Sequence, residues 1–348
     1  MKKIILRNFQ SPGDVVMLTA AIRDLHGSYP GEFATDVRTS CPQLWENNPH
    51  ITPLKPCQPG VETIDCEYPL IHRSNRAPYH FVHAFSEFLN DRLGLRIAPA
   101  ALKGDVHISP LEKSWMSQVE EQTGIDVPFW LIASGGKYDY TTKWWDPARY
   151  QAVVDALAGR VLFVQVGESG HWHPPLHNII DLVGKTDLRQ LVRLVYHSSG
   201  VLTPVSLLMH LAAAIEVKGA SPRNRAAVVV AGGREPVQWE AYPHHQFIHT
   251  NGALTCCDDG GCWKSRVRPL GDGDGKDRPE NLCVDVVGTL PRCLDMISVE
   301  EVVGRIEVYL RGGAVRPLAA AEVSSLRPHL TRPKRSPSVR HAQDHALA

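Results

Sequence analysis

No apolar stretch in the chain reaches about 18 residues, the length needed to cross a bilayer, so the sequence predicts no membrane-spanning helix. The apolar run within residues 1–7 is also too short for a secretory signal peptide. Charge of one sign is not in excess, because Lys plus Arg and Asp plus Glu both number 37. These absences argue against a membrane-spanning protein and against a basic nucleic-acid-binding protein, and we expect a cytoplasmic location.

The chain also lacks the spaced glycines of dinucleotide-binding and P-loop phosphate motifs. Its composition is nevertheless that of a globular protein, with 43% hydrophobic and 21% charged residues. At 348 residues it is too long for one ordinary hydrophobic core, so we expect two domains. Buried apolar runs alternate with helical patterns, which favours an α/β fold.

The first apolar run, at residues 3–9, is predicted to be a buried parallel strand, with a helix at residues 15–26. Gly13 and Asp14 lie in the turn between them, at the carboxyl end of the strand, where ligands of α/β sheets bind. A carboxylate in that place suits a general base. Asp14 could equally cap the helix N-terminus, and the sequence leaves both roles open.

A second domain is predicted to begin near residue 126, where the strand–helix alternation restarts. The strand at residues 128–134 is followed by two glycines and then by a loop that carries Thr142 and Lys143. Backbone N–H groups, hydroxyls and a lysine in such a loop indicate a phosphate site. An ordinary loop with stacked tryptophans is the alternative.

The next strand, at residues 161–167, is followed directly by Glu168. Acidic residues at strand ends of nucleotide-binding α/β folds bind ribose hydroxyls, and we predict that role for Glu168. The histidines that follow at positions 171, 173 and 177 are separated by prolines and have no carboxylate partners in sequence. We interpret them as part of a flexible loop and not as a metal site.

Residues 203–216 follow a short buried strand and combine Ser206, a good N-cap, with a strongly helical run that contains Met209 and His210. A strand that delivers a helix N-terminus to a crevice forms an anion site, because unpaired N–H groups and the helix dipole point outward there. A protonatable His210, one turn into the helix, could reach the same anion. The alternative is a histidine buried in the core.

Cysteine is scarce in most of the chain but concentrated near its end, with five of the eight cysteines in 38 residues. In a chain without an export signal such a cluster favours metal binding over disulfides. The five are Cys256, Cys257, Cys262, Cys283 and Cys293. Five reduced, buried thiols are the alternative.

Five segments, in the same order along the chain, resemble motifs of glycosyltransferase family 9, the ADP-heptose-dependent heptosyltransferases. They are residues 8–22, 47–51, 142–145, 181–188 and 209–214. The resemblance implies a GT-B architecture, in which two Rossmann-like domains face each other across a cleft and the C-terminal one binds the nucleotide sugar. It also implies inverting transfer that needs no metal for catalysis.

On this basis we expect an N-terminal, acceptor-side domain at residues 1–125 and a nucleotide-sugar-binding domain at residues 126–312. Residues 313–348 are expected to be a loosely ordered basic tail rich in Pro and Ala. The resemblance implies that Asp14 is the base. The predicted donor site comprises Gly13, Thr142, Lys143, Glu168, Ser206, Met209 and His210.

The chain departs from the family pattern at residues 205–207, which read VSL where the family usually has an acidic residue before a Ser or Thr and a glycine. The cysteine segment, residues 254–293, is a second departure. It resembles the iron-binding cysteine finger of bacterial autotransporter heptosyltransferases, which modify protein hydroxyls. The resemblance implies a structural metal, iron more than zinc, held by Cys262, Cys283, Cys293 and one of Cys256 and Cys257.

The sequence therefore predicts transfer of heptose from ADP-heptose to a protein Ser or Thr or to a glycan. The expected partners are a nucleotide sugar and its acceptor, without nucleic acid, and association with copies of the same chain is left open. Two alternatives remain: the same fold acting on another nucleotide sugar, and a non-catalytic protein that only binds one.

Overall fold

The computed structural model describes residues 1–66, 71–219 and 224–333. Within them, strands and helices alternate along the chain as the sequence predicts. The strands are β1 Lys2–Asn8, β2 Phe33–Thr39, β3 Val61–Asp65, β4 Phe129–Ile132, β5 Leu162–Gln165, β6 Ile180–Asp181, β7 Gly200–Pro204, β8 Ala226–Gly232, β9 His245–His249, β10 Val286–Val287 and β11 Leu290–Pro291. The helices are α1 Pro12–Ser28, α2 Val82–Leu93, α3 Pro110–Ser114, α4 Gln118–Thr123, α5 Pro147–Ala156, α6 Leu188–His197, α7 Leu207–Ala214, α8 Val237–Glu240, α9 Arg292–Asp295, α10 Val299–Arg311 and α11 Ala320–Leu326.

The N-terminal sheet is parallel, with the strand order β2-β1-β3. Its central strand carries Ile4, Ile5 and Leu6, all fully buried, because a parallel strand is covered on both faces. α1 follows directly and is buried along most of its length. Pro12 opens α1, which suits a residue without an N–H at the first helical position. The carboxyl end of β1 and the N-terminus of α1 therefore lie together.

The C-terminal sheet has the strand order β6-β5-β4-β7-β8-β9, with every neighbouring pair parallel. This is the doubly wound order of a Rossmann fold, in which the chain reverses direction across the sheet between β4 and β7. The carboxyl ends of those two strands border the crevice where such sheets bind ligands. The parallel sheets confirm the predicted α/β class and are consistent with the GT-B architecture.

The two halves of the molecule pack directly against each other. Phe81 lies just before α2, and its ring stacks on that of Trp239 of α8 with the centroids 4.8 Å apart. The backbone N–H of Phe81 also donates to the Trp239 carbonyl. On another part of the interface the Arg189 guanidinium of α6 forms two hydrogen bonds to the Glu112 carboxylate of α3. These contacts join the two halves at separate parts of their interface.

Residues 313–333 differ from the loosely ordered tail that the sequence predicts. Val315 and Leu326 are buried, and the Thr331 N–H donates to the Ile179 carbonyl at 2.9 Å. A few well-spaced apolar side chains fix this segment despite its Pro- and Ala-rich composition. Residues 334–348, the rest of the predicted tail, lie outside the described residues.

In the part of the chain that the structure describes, no helix combines the length and the apolar character needed to cross a membrane.

Candidate functional site

α7 begins at the carboxyl end of β7, beside the point where the chain reverses direction across the sheet. Ser206 is the residue before the helix, as predicted. Its hydroxyl, however, lies 2.8 Å from the Thr203 hydroxyl and makes no capping hydrogen bond to the first turn. The first-turn N–H groups of α7 are thus not satisfied by the Ser206 side chain, which is what an anion site at this end requires.

His210 is buried one turn into α7, with 4% of its surface exposed. Its Nδ1 lies 2.6 Å from the Tyr242 hydroxyl, and its ring meets Phe81 edge-on. Burial, together with the positive charge of Lys143, lowers the pKa of His210 to about 3. The prediction of a protonatable imidazole at this position is therefore wrong: the ring is neutral at physiological pH and interacts only as a hydrogen-bonding group.

Gly13 brings the N-terminus of α1 against His210. A Cβ atom on Gly13 would lie 2.9 Å from His210 Cδ2, so a larger residue would require the His210 ring or the start of α1 to move. Asp14 follows in the first turn of α1, and its Oδ2 accepts a hydrogen bond from the Ser11 N–H at 2.9 Å. The helix-capping contact, one of the two roles left open for Asp14, is present; the role as general base stays a prediction.

Lys143 ends a short 3-10 segment, Tyr138–Lys143, that follows β4. Its Nζ lies 2.6 Å from Glu235 Oε1, and Glu235 is 3% exposed. Arg234 pairs with the same carboxylate. Burial opposes ionisation of Glu235, but the charges of Arg234 and Lys143 outweigh it and lower the pKa.

Glu240, at the end of α8, is a second buried carboxyl in the same place, 5% exposed. Its Oε2 lies 3.7 Å from His210 Nε2. Burial and the charge of Glu235 raise its pKa to about 8, and Asp14 and Lys143 also act electrostatically on it. The structure thus brings Asp14 from the first half and Lys143, His210, Glu235 and Glu240 from the second into one interdomain cluster.

Sequence reasoning missed Glu235 and Glu240. A signal was available, because Gly233-Arg234-Glu235-Pro236 follows the carboxyl end of β8, the edge of the sheet at which ligands bind. Glu240 carries no comparable signal, since its burial depends on contacts with His210 that are distant in sequence.

Two predicted donor-binding side chains have other partners. The Thr142 hydroxyl donates to the backbone carbonyls of Lys264 and Ser265, at 2.8 and 3.0 Å, and is tied to the cysteine segment. Met209 is fully buried among core side chains. The Thr142 hydroxyl proton is already donated and the Met209 side chain has no polar hydrogen, so neither side chain offers a hydrogen bond to a phosphate in this structure. Donor binding by these two residues stays a prediction.

Glu168 lies in the loop after β5 and is well exposed. Its carboxylate is 3.5 Å from His171 Nδ1, and among the described residues no ion pair joins it to Lys143 or His210. The same loop folds back over the end of β4, where the Gly136 N–H donates to the Trp172 carbonyl at 2.9 Å. Glu168 is therefore accessible beside the crevice but apart from the buried cluster, and ribose binding stays a prediction.

The five clustered cysteines line a single cavity of about 10 Å³, and all of them are free thiols. Cys257 is buried, and its thiol lies 3.4 Å from the Leu254 carbonyl and 3.6 Å from the Thr250 carbonyl, in position to donate to either. In residues 1–66, 71–219 and 224–333, no group of three or more His, Cys, Asp or Glu side chains is already arranged to ligate a metal. The predicted gathering of the cysteines is present, whereas a metal-ligated finger is not shown.

The cysteine segment contacts both halves of the molecule. The Asn75 side chain, from the first half, accepts a hydrogen bond from the Trp263 indole at 2.7 Å and donates to the Gly261 carbonyl at 2.9 Å. The Lys264 carbonyl, which accepts from Thr142, also accepts from Arg234 Nε at 2.6 Å. Through these hydrogen bonds the cysteine segment helps to hold in place the loop that carries Lys143 and the side chain of Arg234, which lies next to Glu235 in sequence.

Comparisons with known proteins agree with the fold. The family model described as Glycosyltransferase family 9 (heptosyltransferase) matches residues 74–221. No curated protein sequence matches the chain. The glycosyltransferase family 9 structure from Veillonella parvula is 14% identical, with a TM-score of 0.61 over 89% of this chain and 97% of the other.

Two Escherichia coli proteins are similar to the same degree. ADP-heptose LPS heptosyltransferase II is 16% identical, with a TM-score of 0.55 over 90% of this chain and 100% of the other. The dodecameric iron-containing heptosyltransferase TibC, solved in complex with ADP-D-beta-D-heptose, is also 16% identical, with a TM-score of 0.59 over 90% and 77%. Identities this low show a shared fold; with the family match, they support the predicted enzyme class, a glycosyltransferase.

Proposed function

We propose that the chain transfers heptose from ADP-heptose to an acceptor hydroxyl, with inversion at the anomeric carbon. The observation that carries the proposal is the interdomain cluster, in which the first turn of α1, with Gly13 against His210 and Asp14 next to it, meets His210 and Lys143 from the second half. Transfer needs a base next to the acceptor hydroxyl on one side of the reacting carbon and a cation next to the diphosphate on the other side. An interface with the base on one domain and the cation on the other meets both needs.

In this mechanism the Asp14 carboxylate removes the acceptor proton while the hydroxyl oxygen attacks the anomeric carbon. Negative charge then develops on the departing diphosphate. Lys143 and the N-terminus of α7 stabilise that charge, the first through its ammonium and the second through first-turn N–H donors and the helix dipole. Neutral His210 acts as a hydrogen-bonding group in the wall of the site, and Glu168 binds the ribose hydroxyls.

Lys143 is bound to Glu235 in the structure, at 2.6 Å. A diphosphate therefore does not meet a free ammonium but shares it with a buried carboxylate. The carboxylate fixes the position of Nζ but partly neutralises its positive charge. Affinity for the diphosphate therefore depends on the α7 N-terminus as well as on Lys143. ADP-heptose occurs in the name of one similar protein, ADP-heptose LPS heptosyltransferase II, and is the ligand bound in the TibC complex; this is the basis for choosing this donor.

The function is tested by mixing the purified protein with ADP-heptose and candidate acceptors, a protein rich in Ser and Thr and a lipopolysaccharide-core glycan, and measuring ADP release and acceptor mass. We expect ADP release that depends on the acceptor and a mass gain of one heptose. Transfer from another nucleotide sugar alone would support the first alternative, and tight donor binding without any turnover would support a binding protein.

We further propose that the cysteine segment binds a structural metal ion, with iron preferred because TibC is iron-containing. The residues fit such an ion: five thiols line one space of about 10 Å³, close to the room one water molecule needs. Cys262, Cys283 and Cys293 are three ligands, and Cys256 or Cys257 is the fourth. Bound there, the ion would cross-link the separate turns of residues 254–293 and would take no part in the reaction.

Removal of one thiol should remove the metal and loosen the segment. We expect about one metal ion per wild-type chain after anaerobic purification, and a large loss in Cys262→Ser or Cys283→Ser, with a lower melting temperature. Cys57→Ser is the matched control, because that thiol is exposed and lies outside the cluster. Elemental analysis and thermal unfolding provide the two readouts. A metal content equal in all four proteins, including one of zero, would contradict the proposal.

A further inference from the structure

Glu235 and Glu240 carry two buried oxygen atoms that have no hydrogen-bond partner among the described residues. Both residues are more than nine-tenths buried, and in each the atom is Oε2. Buried polar atoms in folded proteins are nearly always paired, so two unpaired carboxyl oxygens in one cluster are an exception that needs an explanation. Because Glu235 Oε1 is occupied by Lys143, its Oε2 is the oxygen left for a ligand.

The charges around these oxygens indicate what kind of ligand they suit. Lys143 and Arg234 already neutralise Glu235, which leaves little net negative charge to attract another cation. Glu240, with a pKa of about 8, holds its proton at neutral pH. A neutral carboxylic acid both donates and accepts a hydrogen bond, as a sugar hydroxyl does, whereas a metal ion would require the ionised form.

Their position relative to the proposed diphosphate site indicates which part of the donor they meet. Lys143, proposed to stabilise the diphosphate, is in direct contact with Glu235, and Glu240 lies beside His210 of α7. The group bonded to the outer phosphate of a nucleotide sugar is the sugar itself. The turn between β7 and α7 contributes no acidic side chain, since residues 205–207 are Val, Ser and Leu. Carboxyl groups at this corner of the site come instead from the end of β8 and from α8.

We propose that Glu235 and Glu240 bind hydroxyl groups of the transferred sugar and determine which nucleotide sugar the protein accepts. This inference rests on the proposed function, since it requires the donor diphosphate to lie against Lys143 and α7. Glu240 donates to one hydroxyl and accepts from another, and Glu235 accepts through Oε2 while its other oxygen positions Lys143. A sugar whose hydroxyl groups reach the carboxyl oxygens of Glu235 and Glu240 binds well, whereas a sugar that leaves these oxygens unpaired binds weakly. This difference in affinity discriminates between donors.

The test compares each nucleotide sugar with its own nucleoside diphosphate, because the difference isolates contacts to the sugar. Binding is measured by calorimetry for ADP-heptose, ADP-glucose, UDP-glucose and GDP-mannose and for ADP, UDP and GDP. With the donor that wild-type protein prefers, Glu240→Ala should lower affinity about tenfold, within the range for loss of its two hydrogen bonds, and leave the diphosphate within about twofold. Glu240→Gln keeps a donor and an acceptor and should recover most of that loss.

Glu32→Gln is the control, because Glu32 is exposed at the opposite end of the first sheet. Melting temperatures show that each variant is folded. An equal loss for donor and diphosphate, or no loss for either, would overturn the inference. A wild-type preference for a donor other than ADP-heptose would overturn the proposed donor but not the inference, provided that Glu240→Ala removes that preference. If the wild-type protein binds no nucleotide sugar more tightly than the corresponding nucleoside diphosphate, the proposed donor and the inference about Glu235 and Glu240 are both overturned.

Discussion

Asp14→Asn should reduce sugar transfer by about 10²–10⁴-fold, the contribution of a positioned general base, while ADP affinity stays within about twofold of the wild-type value. The substitution is nearly isosteric, and the carbonyl of the introduced amide can still accept the hydrogen bond that Asp14 Oδ2 takes from the Ser11 N–H. The helix cap therefore survives and only the basicity is lost. Initial rates with saturating donor, together with calorimetric ADP binding, separate the two effects.

Asp91→Asn is the matched control, because Asp91 is exposed on α2 and no part of the proposed mechanism involves it. If Asp14 is only a helix cap, Asp14→Asn should turn over at the wild-type rate, and Asp14→Ala should mainly lose about 1 kcal/mol of stability. A normal rate of transfer by Asp14→Asn would therefore show that Asp14 is not the general base and acts only as a helix cap. A loss of transfer together with ADP binding would instead indicate damage to the whole interdomain cluster.

Much of the fold follows from local sequence pattern. β8 is an unbroken apolar run that is buried along its whole length, and β1 has a buried apolar centre at residues 4–6, which is why the alternation of a parallel α/β sheet is visible in the sequence. The same reasoning identifies Asp14 and Lys143, since both follow the carboxyl end of a strand. The five cysteines are close in sequence, and the structure gathers them around one cavity.

The rest of the site depends on contacts between distant segments, which no local pattern reveals. Burial, together with the charge of Lys143, keeps His210 neutral, and burial, together with the charge of Glu235, raises the pKa of Glu240 so that it retains its proton at neutral pH. Thr142 precedes Lys143 and so resembles a phosphate ligand in sequence, yet its hydroxyl donates to carbonyls 122 and 123 residues away. In each case burial in the folded protein changes the charge or the hydrogen-bond partners of the side chain, which the local sequence does not reveal.

Arg225 connects the stability of the second domain to the position of α7. Its guanidinium is buried and donates to carbonyl groups near the C-terminal ends of two helices, α6 and α7. Burial lowers its pKa to about 9, so the group is still charged at neutral pH. The acceptors are the carbonyl oxygens of Tyr196, Ser198, Ala212, Ile215 and Glu216 and the Ser198 hydroxyl. A cation at these ends also interacts favourably with both helix dipoles.

Arg225→Ala should lower the free energy of unfolding by about 3–5 kcal/mol, because several buried carbonyls lose their donor at once and each unpaired group is costly. Arg225→Lys should recover only part of this loss, since a single ammonium cannot reach the acceptors of both helices. Urea unfolding followed by far-UV circular dichroism measures the change, and Arg311→Ala, at an exposed position near the end of α10, is the control. An unchanged urea midpoint in Arg225→Ala would mean that water satisfies the freed carbonyls. In that case Arg225 is not needed to hold the C-terminal end of α7.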